Sequence, residues 1–315
     1  MTVIFVKKNR RRKAAQKFKH KTDAARRTHN IINVNMKLSI IGLGLLGGSL
    51  ALDLRKRGFA DQIFGYDKSP VSQGYAKQVG LIDEECTFDE AIQKGDIIII
   101  SVPVSAAIKI LPEVLNKISD NQIVIDICST KGTICERVKG HSNRRRYVAC
   151  HPMAGTENSG PWSAISGMFD GKALIICDSE DSDEDAVKTA RKMFEVLNMN
   201  TMFFNSFNHD VHVAYVSHLS HVCSFALALT VLDKERNEKN IFSLASGGFA
   251  STVRLAKSNA EMWVPIFDNN KDNVLDVLDT YIDKLKDFRE LLQSDNIPGM
   301  MDYVNNANRI RKVLK

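Results

Sequence analysis

Residues 38–49 read LSIIGLGLLGGS, in which an apolar run passes directly into the spacing Gly-x-Gly-x-x-Gly. The apolar run is typical of a buried strand, and the stretch after the glycines predicts a helix that extends toward Arg57. Between strand and helix, the first glycine permits a tight turn and the second lets the backbone approach a pyrophosphate. The third lets helix and strand pack closely, and the helix N-terminus favours negative charge. We therefore predict a dinucleotide-binding loop whose cofactor contacts are Gly42, Gly44, Leu45, Leu46 and Gly47.

An acidic residue about 20 positions after such a loop is expected to hydrogen-bond the ribose hydroxyls of the cofactor. Asp67 lies in that place, directly after the predicted strand 62–66. Its carboxylate would repel a 2′-phosphate and so favours NAD over NADP, although the neighbouring Lys68 weakens this preference. The sequence therefore predicts NAD as the cofactor, with Asp67 at the adenosine ribose.

Short apolar runs alternate with helical stretches up to about residue 205, which is typical of βαβ units around a parallel sheet. After that point the pattern is helical. We expect an α/β protein with a Rossmann-type, doubly wound parallel sheet domain over residues 36–205 and an all-helical domain over residues 206–315. The predicted strands are 38–41, 62–66, 97–101, 123–127, 147–150, 173–177 and 201–204. The predicted long helices of the second domain are 209–233, 272–293 and 302–314.

Positive charge is concentrated before residue 36. The formal net charge is +6, but residues 1–35 hold eleven Lys or Arg and one acid, which leaves 32 basic and 36 acidic side chains elsewhere. Such an arm could bind nucleic acid, target an organelle or form a disordered extension upstream of a start at Met36. Phe18 is the single aromatic residue among these charges, so a stacking platform is not supported. We expect a disordered extension and no nucleic-acid partner.

Cysteine spacing and apolar run lengths indicate the class of protein. The six cysteines form no CxxC pair, so we expect buried free thiols of a reducing compartment. The longest apolar runs, 97–100 and 225–232, are far shorter than the roughly 20 residues of a membrane span. We therefore expect a soluble, cytoplasmic protein that makes no membrane contact.

Two pairs of histidines are compatible with a metal site, which we consider a minor alternative. His209 and His212 are three residues apart, as are His218 and His221, so each pair can share a helix face. The sequence has no HExxH motif, and zinc ordinarily needs a third protein ligand, for which no clear candidate exists. We expect no metal.

Polar stretches also follow other predicted strands on the edge that carries the glycine loop. Ligands bind at the carboxyl ends of the strands in such sheets, so residues 101–103, 126–132 and 150–157 should border one cleft. His151, directly after its strand, lies where a nicotinamide ring would point. We expect the first stretch to contact the cofactor through Ser101, Val102 and Pro103.

Five separated motifs resemble those of the prephenate and arogenate dehydrogenases of tyrosine biosynthesis. They are GLGLLGGS at 42–49, DICSTKG at 126–132, HPMAGTENSG at 151–160, SHLSH at 217–221 and FASTVRLAKSNAEMW at 249–263. The chain resembles the monofunctional bacterial prephenate dehydrogenases in particular, over about residues 36–315. This resemblance implies a helical domain that forms a homodimer, NAD as cofactor and prephenate as small-molecule substrate. Ser220 departs from the pattern, because many relatives have proline there.

The resemblance also implies roles for individual residues. It assigns catalysis to His151, Ser129 and His221, with the serine close to the substrate hydroxyl. It assigns the binding of a substrate carboxylate to Arg254. It assigns further substrate contacts to Ser217, His218 and Glu157.

Arg254 has a structural alternative. It is the one arginine in the motif at 249–263 and stands among small and apolar residues. A planar guanidinium can hold a carboxylate through two parallel hydrogen bonds. An ion pair with Glu261 or Asp268 would explain the same residue without a substrate.

The implied reaction suits these residue types. Hydride leaves C4 of the prephenate ring while CO2 departs from the opposite carbon, and aromatisation to 4-hydroxyphenylpyruvate supplies the driving force without a metal. A neutral His151 that accepts a hydrogen bond from the 4-hydroxyl would stabilise positive charge on that group, which is typically worth about 10²–10⁴-fold in rate.

Three other functions remain as alternatives. Arogenate dehydrogenase acts on a substrate with an additional amino group, for which Glu157 would be a partner. A β-hydroxyacid dehydrogenase would share the two-domain layout, but the paired SHLSH and HPMAGTE motifs argue against it. A non-catalytic NAD-binding regulator would use the basic arm on nucleic acid, and the joint presence of His151, Ser129 and Arg254 argues against that.

Overall fold

The computed structural model describes residues 36–236, 238 and 240–313, and the predictions for residues 1–35 lie outside this range. Its first part is an eight-stranded sheet covered by helices on both faces. The strands are β1 (Met36–Ile41), β2 (Ala60–Tyr66), β3 (Glu84–Glu85), β4 (Ile97–Ile100), β5 (Ile123–Asp126), β6 (Tyr147–Pro152), β7 (Ala173–Cys177) and β8 (Asn200–Phe204). The helices between them are α1 (Leu45–Lys56), α2 (Pro70–Gln78), α3 (Phe88–Lys94), α4 (Val104–Lys117), α5 (Gly132–Val138) and α6 (Glu184–Val196).

The order of the strands is β3-β2-β1-β4-β5-β6-β7-β8, so the chain crosses from β3 back to β4 and the sheet is wound in both directions. This confirms the predicted Rossmann-type, doubly wound sheet. Neighbouring strands are parallel except β6 and β7, which pair antiparallel. A parallel return usually needs a helical crossover, and the segment between β6 and β7 contains only a short 3-10 turn. The last two strands therefore run opposite to the first six.

The central strand β4 shows why the sheet is buried on both faces. Its four isoleucines are inaccessible to solvent. Ile97 and Ile99 pack into the core that contains residues of α1 and α6, whereas Ile98 and Ile100 pack into the core beneath α3, α4 and α5. Side chains alternate between the faces of a strand, so an apolar run without polar positions requires cover on both sides.

Every element described after β8 is helical. The helices are α7 (Ser206–Val213), α8 (Leu219–Glu235), α9 (Gly247–Thr252), α10 (Ala260–Asn269), α11 (Lys271–Gln293) and α12 (Ile297–Ala307). The predicted helix 209–233 corresponds to α7 and α8, which are joined by the π-helical segment Ala214–His218. Such segments are frequent at functional sites, and this one carries Ser217 and His218.

The helical part exposes much apolar surface. The run Ser206–Glu235 is long and apolar enough to cross a membrane by length and composition, which also holds for core helices of soluble proteins. The segment is apolar on average because it contains few charged residues, although each of its uninterrupted apolar runs is short. Leucines and other apolar side chains of α8, α11 and α12 extend this surface, among them Leu229, Leu232, Leu285, Leu292, Met301 and Val304. The helix Lys271–Gln293 contacts both of the other helices, and exposed apolar side chains on neighbouring helices commonly contact another protein.

Candidate active site

A cleft of about 1620 Å³ lies between the sheet and the helical part. We call residues 41–46, 101–106, 127–129 and 151–160 its sheet-edge side, and residues 216–221 and 254–266 its helical side. The cleft brings together fourteen of the sixteen residues predicted from the sequence: Gly42, Gly44, Leu45, Leu46, Asp67, Ser101, Val102, Pro103, Ser129, His151, Glu157, Ser217, His221 and Arg254. The structure places the other two, Gly47 and His218, behind the surface of the cleft.

The glycine loop brings the backbone close to the cleft. Gly42 has φ +100°, a conformation that favours glycine, and a Cβ there would overlap the carbonyl oxygen of Ser101. A Cβ on Gly47 would overlap the carbonyl oxygen of Gly42, so Gly47 allows α1 to pack against the loop. At Gly44, by contrast, a Cβ would meet no atom within 4 Å and would point into open space. The loop thus leaves room for a ligand at Gly44.

Asp67 is fixed beside this loop by two backbone donors. Its Oδ2 accepts the N–H of Leu43 at 2.8 Å, and its Oδ1 accepts the N–H of Ser69 at 2.8 Å. Each oxygen retains a lone pair for a further donor. The unpaired N–H groups of the first turn of α1 begin at Leu45. A pyrophosphate at this helix end and ribose hydroxyls at Asp67 therefore fit the residues present, which supports a dinucleotide at this position.

His151 ends a hydrogen-bonded chain that leads away from the cleft. The residue lies in β6 and is 8% exposed. Its Nδ1 is 2.8 Å from Nε2 of His209, and Nδ1 of His209 is 2.7 Å from Oδ1 of Asp210. Burial, and then the nearby His209 and Lys131, hold the pKa of His151 well below its usual value. The imidazole is therefore neutral at pH 7 and can accept a hydrogen bond.

A buried ion pair anchors the loop that carries Ser129. Lys131 and Asp126 pair with no exposure of either side chain, and Tyr147 donates its hydroxyl to Asp126 at 2.6 Å. Burial alone would lower the pKa of Lys131, but Asp126 raises it above its usual value. Because both charges are paired and buried, the backbone on either side of Ser129 is held at the end of β5.

His221 projects from the helical side. Its ring stacks on Trp263 with the centroids 3.4 Å apart, and its Nδ1 lies 3.0 Å from the carbonyl oxygen of Ser217. A carbonyl only accepts, so Nδ1 carries the hydrogen and Nε2 of the neutral ring is an acceptor. Burial lowers the pKa of His221, which favours this neutral form.

His218 belongs to the layer behind His221. It is 1% exposed, and its Nδ1 lies 3.1 Å from the side-chain nitrogen of Asn270. Its ring meets Trp263 edge-on. Burial lowers the pKa of His218 to about 4. His218 therefore contacts Asn270 and Trp263 and does not line the cleft itself.

Arg254 and Glu157 contact each other across the cleft. Nη1 of Arg254 lies 2.9 Å from Oε2 of Glu157, and the two side chains are 52% and 26% exposed. The partner of Arg254 in the structure is therefore neither Glu261 nor Asp268. The backbone N–H of Glu157 and, next, Arg254 lower the pKa of the Glu157 carboxyl. The pair joins the sheet-edge side to the helical side.

Sequence comparison identifies both parts of the chain. The family described as "Prephenate dehydrogenase, nucleotide-binding domain" matches residues 50–202, and "Prephenate dehydrogenase, dimerization domain" matches residues 205–306. The chain belongs to the prephenate dehydrogenase family. The family predicted from the five motifs is thus confirmed, as is the oxidoreductase class.

Individual members of this family are similar over most of their length. The prephenate dehydrogenase of Bacillus subtilis is 27% identical over 86% of this chain and 74% of its own. The crystal structure of A. aeolicus prephenate dehydrogenase in complex with hydroxyphenyl propionate and NAD+ has a TM-score of 0.80 and 29% identity, over 89% of this chain and 98% of that one. Synechocystis arogenate dehydrogenase has a TM-score of 0.70 and 26% identity, over 89% of this chain and 100% of that one.

Several features of this prephenate dehydrogenase family member were not predicted from its sequence. His209 was expected in or near the cleft and was noted for its spacing from His212, but its contact with His151 depends on how α7 packs against β6. The pairing of Lys131 with Asp126 and the stack of Trp263 on His221 were also missed. Asp126, Lys131 and Trp263 lie within the five motifs, which was the available signal for them, whereas His209 lies outside all five.

Proposed function

We propose that the protein catalyses the NAD-dependent oxidative decarboxylation of prephenate to 4-hydroxyphenylpyruvate. The observation that carries this proposal is the position of a neutral, buried His151 in the same cleft as the glycine loop and Arg254. A dinucleotide site, a hydrogen-bond acceptor and a cation for a carboxylate are the three elements that this reaction needs. Membership of the prephenate dehydrogenase family and the NAD+ of the A. aeolicus complex support it.

The sheet-edge side holds the cofactor in this proposal. The loop residues Gly42, Gly44, Leu45 and Leu46 would contact the pyrophosphate, with Gly47 keeping α1 close to the loop. Asp67 would accept the ribose hydroxyls, and Ser101, Val102 and Pro103 would border the path to the nicotinamide. Bound NAD supplies the hydride acceptor.

His151 and Ser129 act on the reacting hydroxyl. The electron pair of the bond to the departing CO2 enters the ring, while hydride leaves C4 and positive charge develops on the 4-hydroxyl. Nε2 of His151 accepts a hydrogen bond from that hydroxyl and stabilises the charge. Ser129, held by the buried pair next to it, lies on the same side of the cleft and orients the hydroxyl.

The helical side binds the remainder of the substrate. Arg254 receives a carboxylate, which then shares or replaces the contact with Glu157. His221 and Ser217 line the cleft beside it, and His218 supports them from behind through Asn270 and Trp263.

Arogenate is the second candidate substrate, because Glu157 could meet its ammonium group and the similar Synechocystis protein is an arogenate dehydrogenase. A steady-state assay that crosses prephenate and arogenate with NAD and NADP separates the two. We expect the highest kcat/KM with prephenate and NAD. A higher value with arogenate would establish the second candidate, and no turnover with either substrate would contradict the proposal.

We further propose that the protein is a cytoplasmic homodimer formed through its helical part. Support comes from the exposed apolar side chains of α8, α11 and α12 and from the match of residues 205–306 to a dimerization domain. All six cysteines are free and five are buried, which suits a reducing compartment. Light scattering should give twice the 35.2 kDa of one chain, and a monomeric mass would contradict the homodimer.

A further inference from the structure

A chain of buried hydrogen bonds continues from His151 to the backbone of α5. His151 contacts His209, and His209 contacts Asp210, at 2.8 Å and 2.7 Å. The two carboxylate oxygens of Asp210 then accept the N–H groups of Lys131 and Gly132 at 2.8 Å and 2.7 Å. His209 and Asp210 are 2% and 4% exposed, so solvent does not compete for these contacts.

The chemistry of each partner determines where the hydrogens lie. An ionised Asp210 only accepts, so the hydrogen between it and His209 belongs to Nδ1 of His209. A neutral ring with hydrogen on Nδ1 has a lone pair on Nε2, so the hydrogen between the two rings belongs to Nδ1 of His151. His151 then has no hydrogen on Nε2. We infer that His209 and Asp210 are positioning residues that fix the tautomer of His151 with an unprotonated Nε2 available to the cleft.

This tautomer is the one that the proposed reaction needs. An unprotonated Nε2 accepts a hydrogen bond from the substrate hydroxyl, whereas an Nε2–H could only donate one. In catalytic triads a carboxylate holds a histidine in its working tautomer, and replacing it by an amide lowers kcat about 10⁴-fold. Here a second imidazole lies between the carboxylate and the working ring, so the same control acts over two hydrogen bonds.

The competing arrangement has a protonated His209. With hydrogens on both nitrogens, His209 would donate to Asp210 and to Nδ1 of His151, which would leave the hydrogen of His151 on Nε2. The two arrangements place opposite tautomers at His151. They are therefore distinguished by a measurement on that one ring.

Nitrogen NMR of the full chain labelled with 15N-histidine reports the tautomer directly. The signals of His151 are identified by their loss in the variant His151→Asn. We expect hydrogen on Nδ1 and none on Nε2 at pH 7.5 in the absence of ligand. Hydrogen on Nε2 of His151 in the unmodified protein would overturn the inference.

Variants then test the direction of control. Asp210→Ala removes the acceptor for the hydrogen on Nδ1 of His209, so the hydrogen of His151 is no longer confined to Nδ1. We expect kcat to fall by about tenfold or more, because part of the protein then lacks the acceptor toward the hydroxyl. His209→Gln retains an amide oxygen that can accept from Nδ1 of His151, so it should retain more activity than His209→Leu. The exposed His212 on the same helix provides the matched control, since His212→Asn should leave the signals of His151 and kcat unchanged.

The inference rests on the proposed function only for its effect on turnover. The expected tautomer without turnover of prephenate or arogenate would contradict the function and leave the inference standing. Normal turnover with the opposite tautomer would contradict the inference and leave the proposed function standing. An unchanged tautomer in folded Asp210→Ala, judged by an unaltered near-UV circular dichroism spectrum, would remove Asp210 from the control of His151.

Discussion

The sheet-edge side of the cleft is positioned by buried strands and by buried side chains such as the pair of Lys131 and Asp126, whereas His221 and Arg254 on the helical side are positioned by contacts with single side chains. The loops of the first side continue strands such as β4, whose residues Ile97–Ile100 are inaccessible to solvent. On the second side, His221 depends on Trp263 and Arg254 depends on Glu157. A strand inside a sheet cannot move without breaking its hydrogen bonds to the neighbouring strands. In contrast, a substrate carboxylate can replace Glu157 as the partner of Arg254. We therefore expect changes on the two sides to alter different kinetic constants.

The largest effect is expected at His151 on the sheet-edge side. Replacing His151 with Asn removes the acceptor toward the hydroxyl and should lower kcat by about 10²–10⁴-fold. NAD affinity should remain within about twofold, because the glycine loop and Asp67 are unchanged. Steady-state kinetics and NAD titration measure both quantities. A near-normal kcat would remove His151 from the mechanism and with it the chemical role of this side.

The buried His218 on the helical side should make the stability of the protein depend on pH. Its pKa is about 4 in the folded protein because of burial, against an ordinary value of 6.5. Between these values the unfolded chain binds a proton that the folded protein does not, so stability falls as the pH decreases from about 6.5 to about 4. A shift of this size is worth about 3 kcal/mol. Urea unfolding across this range should show a smaller loss in His218→Asn, and an equal loss would mean that His218 is not the group responsible.

Arg254 should separate substrate binding from cofactor binding. Arg254→Ala removes a charge-assisted contact worth about 1.5–3 kcal/mol and should raise the KM for prephenate about ten- to a hundred-fold. Arg254→Lys should restore binding only in part, because lysine lacks the planar pair of donors. NAD affinity should change by about twofold at most. Equal losses for NAD and prephenate would show that the two sides are not independent.

Replacing Asp67 should give the smallest effect of the four changes. It should weaken the binding of NAD and leave the binding of prephenate unchanged, which is the opposite of the pattern expected for Arg254. Asp67→Ala removes hydrogen bonds to the ribose worth about 0.5–1.5 kcal/mol each, which corresponds to a loss of NAD affinity of up to about tenfold per bond. The preference for NAD over NADP should narrow, while the KM for prephenate should stay nearly constant. A wild-type protein that prefers NADP would instead indicate Lys68 as the determinant.

Most of the sheet could be predicted because its strands are apolar runs between polar turns. Seven strands were predicted close to their observed bounds, but Glu84–Glu85 has no apolar residue and was missed. The antiparallel direction of β7 was also not foreseen, since an apolar run is the same when read in either direction. Direction depends on the connection from β6, whose path is a property of the folded chain.

The candidate site divides in the same way. The glycine loop, Asp67 and His151 follow from their positions after strands, which a sequence pattern reveals. The helical side was predicted only through the resemblance to a family, because the spacing of Ser217, His221 and Arg254 says nothing about the cleft. The contacts of Glu157 with Arg254 and of His209 with His151 join residues 97 and 58 positions apart. Local patterns carry no information on such contacts.

The most direct test of the proposed function is the stoichiometry of one turnover series with prephenate and NAD. The NADH formed is read from its absorbance, and 4-hydroxyphenylpyruvate and CO2 are quantified in the same sample. The proposed oxidative decarboxylation predicts equal amounts of all three products. NADH formed without matching CO2 would indicate simple oxidation of a hydroxyl, as in a hydroxyacid dehydrogenase, and would contradict the function proposed for this cleft.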